Sequence, residues 1–157
     1  MTEWYVAGGA VRDLLMGRPV HDIDVSFAGG TESFLQRFPQ ARKTGNGLAI
    51  WLVGSAEFTE LAGGRCCADG EGGSPASPAS SAMALEADLL ARDLTINAAA
   101  VDEEGRFFCH PRFLDDMRER VLRLASGRVL EQDPLRVFRL ARFAAELPDF
   151  SVAPETL

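Results

Sequence analysis

Gly8–Asp24 reads GGAVRDLLMGRPVHDID, and the fold turns on how these seventeen residues are parsed. Trp4 to Ala7, just before them, is a short apolar run that reads as a strand ending at Gly8-Gly9. Ala10 to Met16 then carries a helical pattern, closed by Gly17 in the place a helix C-terminus favours. His21 to Phe27 alternates strictly, with Ile23, Val25 and Phe27 on one face and Asp22, Asp24 and Ser26 on the other. A period of two predicts a half-buried strand.

Two features of this stretch carry chemistry. Residues two apart on a strand have Cα atoms roughly 6.6 Å apart and side chains leaving the same face, so Asp22 and Asp24 point together. Such a pair can converge on two divalent cations about 3.5 to 4 Å apart, which steady the attacking and departing oxygens of phosphoryl transfer. Ligands that are all oxygen select Mg²⁺ or Mn²⁺ over zinc. The alternative is an ordinary polar strand face. Gly8-Gly9 at the head of a helix exposes backbone N–H groups and a positive dipole end, which suits a triphosphate. The alternative is a tight turn with Arg12 and Asp13 solvated.

Downstream, Gly29-Gly30 ends the acidic strand and Glu32 to Phe38 suits a short helix. Leu48 to Val53 and Phe58 to Ala62 are apolar enough for two more strands. Residues 63–84 break the pattern: sixteen of the 22 are Gly, Ser, Pro or Ala, which predicts a mobile surface loop. Leu85 to Arg92 reads as a helix, Leu94 to Val101 as extended, and Asp102 to Gly105 as a turn into Arg106-Phe107-Phe108, a hairpin. Met117 to Leu124 and Leu135 to Leu147 read as amphipathic helices. Strands early and helices late predict a mixed α/β (α+β) head joined to helical material.

Composition narrows the class. The chain has 157 residues, 46% of them hydrophobic and 25% charged, which fits one globular domain. The longest apolar runs fall short of the roughly 18 to 20 residues of a membrane span, and the start lacks the basic and apolar regions of a signal peptide. Cys66, Cys67 and Cys109 fit neither a disulfide framework nor a metal knuckle, so a cytoplasmic location is expected. The net charge of −7 argues against coating nucleic acid by bulk electrostatics. Between Arg106 and Arg142, however, nine arginines face five acids, a local +4. Lys43 is the lone lysine among sixteen basic residues, and arginine's planar fork suits phosphates and base edges. A GC-rich genome would bias composition in the same direction.

The whole pattern resembles the class II tRNA nucleotidyltransferase (CCA-adding enzyme) and bacterial poly(A) polymerase family. GGAVRDLLMGRPVHDID is similar to its GG-x-VRD signature with the DxD that follows. ARDLTINAAA (Ala91 to Ala100) resembles its RRDFTIN segment, and EQDPLRVFRLARFAAEL (Glu131 to Leu147) its EDPLR-x-x-R-x-x-RF helix. The resemblance runs from about Tyr5 to Leu147. It implies a polymerase-β-like nucleotidyltransferase head with a mixed β-sheet flanked by helices over residues 1–126. The first helix of an RNA-binding neck would follow over residues 127–157. It implies transfer of CMP or AMP from CTP or ATP to an RNA 3′ end, with tRNA the expected acceptor and pyrophosphate released. A poly(A) polymerase using ATP alone, and a non-catalytic nucleotide- or RNA-binding remnant of the same fold, stand beside that expectation.

Roles carry over position by position. Asp22 and Asp24 would bind two Mg²⁺ or Mn²⁺ ions and activate the RNA 3′-hydroxyl. Glu60, in FTELAGGR, would be the third carboxylate of an E-x-x-x-x-R strand, with Arg65 its partner. Gly8, Gly9 and Arg12 would approach the triphosphate, and Arg92, Asp93 and Asn97 the ribose and nearby phosphates. Asp133 and Arg136 would offer hydrogen bonds to the base edge, while Arg139 and Arg142 continue that stripe toward phosphates. The same Asp133-Pro134 is also a favourable helix start, where Asp133 caps and pairs locally with Arg136. Three departures affect nucleotide selection: Ala91 replaces the first Arg of RRD, Gln132 the Glu of EDxxR, and His110 the Asp of a DP dipeptide. Family members continue into helical neck, body and tail. The expectation is therefore a head fragment, or a minimal protein whose C-terminal helix exposes an apolar side to a second copy or another chain.

Overall fold

A computed structural model describes residues 2–44, 50–61 and 78–156. The core is a seven-stranded sheet. In chain order the strands are β1 (Glu3–Ala7), β2 (Ile23–Ala28), β3 (Arg42–Thr44), β4 (Ile50–Val53), β5 (Ala56–Glu60), β6 (Ala99–Asp102) and β7 (Phe107–Cys109). Their spatial order is β3-β4-β5-β2-β1-β6-β7. Only the β2–β5 pair is parallel and every other pairing is antiparallel, so the sheet is mixed as expected. A separate parallel pair joins β8 (Val121–Leu122) to β9 (Ser151–Val152).

Helices cover both faces. Behind the sheet lie α1 (Gly9–Leu15), α2 (Thr31–Arg37) and α4 (Phe113–Glu119). Phe34 of α2 packs on Phe27 and Phe58, with Trp4, Phe38 and Trp51 closing an aromatic cluster. The front is covered by α3 (Pro78–Leu90), whose Leu85 and Leu89 meet Tyr5, Ala7, Ala28 and Ala100. β2 is therefore covered on both sides from Val25 to Ala28, and Ser26 is buried too. The half-buried expectation holds only at the strand's start, where α3 ends and Asp22, Ile23 and Asp24 meet solvent.

Three local expectations are corrected. α3 begins at Pro78, inside the predicted loop, because Ala- and Leu-rich residues there bury Ala84 and Leu85 against the sheet. The rest of that loop, with Arg65, Cys66 and Cys67, lies outside the described residues, as do Leu48 and Ala49 of the predicted 48–53 strand. Leu94 to Val101 is not continuously extended, since Thr95–Asn97 forms a 3-10 turn before β6. Met117 to Leu124 is not one helix. α4 stops at Arg120, which adopts φ 57, and the chain leaves as β8.

The C-terminal segment forms α5 (Val129–Gln132) and α6 (Arg136–Glu146). Leu140, Phe143, Leu147 and Phe150 share one cluster with Leu94, Ile96 and Leu122. Most of the apolar side of this segment is thus covered, leaving Leu135 just before α6 and Val137 and Phe138 on it exposed. None of the described helices is long and apolar enough to cross a membrane.

Candidate active site

One cleft of about 820 Å³ opens where β2 begins, a volume in the range of small-molecule sites. The Gly8–Gly9 turn, α1, the start of β2, the end of α3 and one side of α6 line it. It gathers Gly8, Gly9, Arg12, Asp22, Asp24, Arg92, Asp93, Asn97, Asp133, Arg136, Arg139 and Arg142. Residues separated by more than a hundred positions thus meet in a single hollow.

Asp22 precedes β2 by one residue and Asp24 is its second, both exposed. Burial raises the Asp24 carboxyl above its ordinary range, Arg92 and Arg139 oppose the rise, and Asp22 adds to it. The cleft's other carboxylates have cationic partners. Asp13 pairs with Arg12, Asp88 with Arg92, and Asp93 with Arg139; Glu146 faces Arg142 at 3.4 Å and Asp133 faces Arg136 at 3.8 Å. Asp22 and Asp24 form no ion pair among the described residues, although Arg92 and Arg139 stand near enough to act on Asp24, so they are the unpaired carboxylates of the cleft. Two adjacent carboxylates outside any ion pair and open to solvent offer oxygen ligands that fit Mg²⁺ or Mn²⁺, which keep waters and substrate oxygens in their remaining positions. Among the described residues no third acidic, His or Cys side chain completes a cage with them.

Glu60 is not brought to this place. β5 runs parallel to β2 with Asp24 opposite Glu57 and Phe27 opposite Glu60. Glu60 therefore lies about 10 Å farther along the strands and on the back face, where it accepts a hydrogen bond from Thr31 Oγ1 at 2.6 Å. The carboxylate on Asp24's face is the exposed Glu57, which the sequence reading passed over. Parity was the available signal: buried Phe58 assigns Glu60 to its own face and Glu57 to the opposite one.

The remaining residues form a buried hydrogen-bonded chain. Arg12 is 6% exposed, and its Nη1 donates to Asn97 Oδ1 at 2.6 Å. Its Nε and Nη2 hold Asp13, and its guanidinium carbon lies 5.1 Å from the Phe143 ring centre. Asn97 Nδ2 donates to Asp93 Oδ1 at 3.2 Å, and Arg139 Nε to Asp93 Oδ2 at 2.7 Å. Burial pushes the Asp93 carboxyl up, but Arg139, Asn97 and the Leu94 N–H together hold it below the usual carboxylate range. Arg12, Asn97 and Asp93 thus tie α1 to α6. Every guanidinium nitrogen of Arg12 already has a partner, so the structure places it as a strut beneath the cleft.

α6 starts at Arg136, one residue later than predicted, because Asp133 Oδ1 accepts the Leu135 N–H at 3.0 Å in a turn before the helix. Arg136 Nη1 donates to the Ala91 carbonyl at 2.8 Å. His110 lies away from the cleft, with Nε2 3.1 Å from the Ala125 carbonyl oxygen and Nδ1 accepting the Arg112 N–H. Of Gln132, only the backbone lies within the described residues.

The Gly8–Gly9 turn has a steric reason. Gly8 has φ 76, and a Cβ there would stand 2.6 Å from Arg92 Nη1 and 3.6 Å from Asp24 Oδ2. α1 has only seven residues, so its dipole is short; what Gly8 supplies is room for a guanidinium beside the acidic pair.

Comparison with known proteins follows this geometry. The multifunctional CCA protein of Pseudomonas fluorescens is 43% identical over 159 residues, covering 98% of this chain and 38% of that protein. The corresponding protein of an Azoarcus species is 41% identical over 161 residues, with 98% and 37% covered. The chain therefore spans less than two-fifths of these curated relatives. Among solved structures, the Bacillus stearothermophilus CCA-adding enzyme in complex with CTP superposes with a TM-score of 0.78 at 32% identity, covering 99% of this chain and 38% of that one. A tRNA nucleotidyltransferase complexed with a primer tRNA and an incoming ATP analog gives 0.70 at 29%, covering 99% and 44%. The mixed α/β architecture is that of a nucleotidyltransferase head. The sequence profile described as the poly A polymerase head domain matches residues 4–123, and this chain belongs to that family.

Proposed function

We propose that the cleft binds a nucleoside triphosphate, CTP or ATP, and transfers its nucleotidyl group to the 3′ end of an RNA, with tRNA as the acceptor. The observation that carries this reading is the exposed Asp22–Asp24 pair, outside any ion pair, in a cleft also lined by Arg92, Arg136, Arg139 and Arg142. Relatives solved with CTP and with a primer tRNA support it. Asp22 and Asp24 are the residues that would hold two Mg²⁺ or Mn²⁺ ions, with Glu57 facing them from β5. When bound, such ions lower the pKa of the 3′-hydroxyl and neutralise charge on the triphosphate. Arg92 meets phosphate oxygens beside Gly8 and Gly9. Asp133 and Arg136 face the base, the first as acceptor and the second as donor. Arg139 and Arg142 line the same wall, and Asp93, Asn97 and Arg12 keep that wall at a fixed distance from the metal-binding edge. Catalysis of this kind is positioning and charge stabilisation.

Residues 1–126 act as the head, and residues 127–157 as the first helical segment leading toward an RNA-binding neck. Exposed Leu135, Val137 and Phe138 are the contact for a second copy or a further helical chain, and the protein works in the cytoplasm. Primer extension tests the reading: labelled CTP or ATP with Mg²⁺ is expected to label an RNA 3′ end with the wild-type chain and not with Asp22→Asn. Equal labelling by both would refute it. ATP alone on an RNA ending in CC separates a single addition, expected here, from the ladder of a poly(A) polymerase. Tight CTP binding without pyrophosphate release would favour a non-catalytic remnant, for which the replacement of the usual Arg by Ala91 speaks.

A further inference from the structure

Asp88 stands near the end of α3, two residues before its last, and lines the cleft without belonging to any of the three sequence signatures. A carboxylate in the last turn of a helix has the wrong sign for the helix dipole, so what favours Asp88 there is its i,i+4 pair with Arg92. Its Oδ2 accepts hydrogen bonds from Arg92 Nη2 at 2.9 Å and from Arg92 Nε at 3.3 Å. That grip takes one edge of the guanidinium and leaves the far corner, Nη1, over Gly8 on the side of Asp24. Among the described residues Asp88 is the only ion-pair partner of Arg92.

We infer that Asp88 is a positioning residue that holds Arg92 Nη1 toward the triphosphate and keeps the guanidinium off the Asp22–Asp24 pair. The inference rests on the reading of Arg92 as a phosphate contact given above. Two neighbours compete for this arginine: Asp88 on α3 and the unpaired carboxylates Asp22 and Asp24 at the start of β2. An arginine released by Asp88 would settle on Asp24, where it would block the edge that divalent ions need and withdraw its donors from the phosphates. Gly8 completes the arrangement, because a Cβ there would stand 2.6 Å from Nη1 and push it away. The pair is partly open to water, with the Arg92 and Asp88 side chains 20% and 37% exposed, so its loss leaves the core intact.

The test is CTP binding with Mg²⁺, followed by calorimetry, on the 157-residue chain and its variants. Asp88→Asn is expected to weaken CTP by about tenfold or more, as losing a hydrogen bond to a charged group does, while cytidine binds as before and the melting temperature is kept. Asp88→Glu, which can still reach Arg92 one turn on, is expected to restore most of the affinity. In an Arg92→Ala background, Asp88→Asn is expected to cause no further loss. Unchanged CTP affinity in Asp88→Asn would overturn the inference, as would an equal loss for cytidine or a full additional loss in the Arg92→Ala background. A wild-type chain that binds neither CTP nor ATP would overturn the reading of the cleft itself, and this inference with it.

Discussion

Glu57 and Glu60 sit three residues apart on β5, yet they belong to different regions of the molecule. The first stands opposite Asp24 at the open end of the parallel β2–β5 pair, exposed beside the cleft. The second stands opposite Phe27 on the aromatic back face and is bonded to Thr31 of α2. One end of these strands is bare because α3 terminates before covering it; the other is sealed by Phe34 and its neighbours. Side-chain parity and strand register, more than residue type, decide which acid is available for chemistry.

The sharpest way to break this comparison is at the open end. Asp24→Asn is expected to lower nucleotide incorporation by more than about 100-fold, beyond what losing an outer partner costs a metal site, with the fold intact by circular dichroism. Glu57→Gln should follow with a loss of about 10- to 100-fold, whereas Glu60→Gln should leave incorporation within about twofold. If Glu60→Gln proves the more damaging, the assignment of faces is wrong. At the sealed end, Phe34→Ala should cost about 3 to 5 kcal/mol in urea unfolding, because Phe34 is fully buried among five aromatic neighbours.

The link between the cleft's two walls gives a smaller effect. The Asp93 carboxyl lies below its ordinary value of 3.8 in the folded chain. A carboxyl depressed by folding contributes stability above its unfolded value and loses it as the pH falls through the folded one. Asp93→Asn should therefore destabilise the chain at neutral pH by about 1 kcal/mol, a figure kept low because Arg139 is half exposed. The difference from wild type should narrow below about pH 4. A gap that stays constant down to pH 2 would show that Asp93 acts by shape and not by charge.

Legibility in the sequence followed the range of the forces involved. Gly8-Gly9, Gly17 and the alternation of His21 to Phe27 are local signals, and β1, α1 and β2 form where they predict. The amphipathic 135–147 segment is likewise α6 within a residue at each end. Misreadings arose where tertiary contact overrides local pattern. Pro78 to Ala84 looks like a linker until Ala84 and Leu85 find the sheet, and the helical pattern of Met117 to Leu124 yields because Val121 and Leu122 pair with Ser151 and Val152. At the site, the residues of the three signatures do line one cleft, and the sequence gives no sign that Arg12 is bonded there through every guanidinium nitrogen. The resemblance of Glu60 and Arg65 to an E-x-x-x-x-R strand is a match of spacing and is blind to parity. Asp88 carries no motif and becomes visible only through its bonds to Arg92.

The central claim is that Asp22 and Asp24 form a cation-binding edge within a nucleotide cleft. Electron paramagnetic resonance of Mn²⁺ titrated into the chain with CTP measures it directly. The account predicts saturable binding by the wild type that drops at least tenfold in Asp24→Asn and stays unchanged in Glu60→Gln. Mn²⁺ binding that is indifferent to Asp24, or that is lost with Glu60, would contradict it.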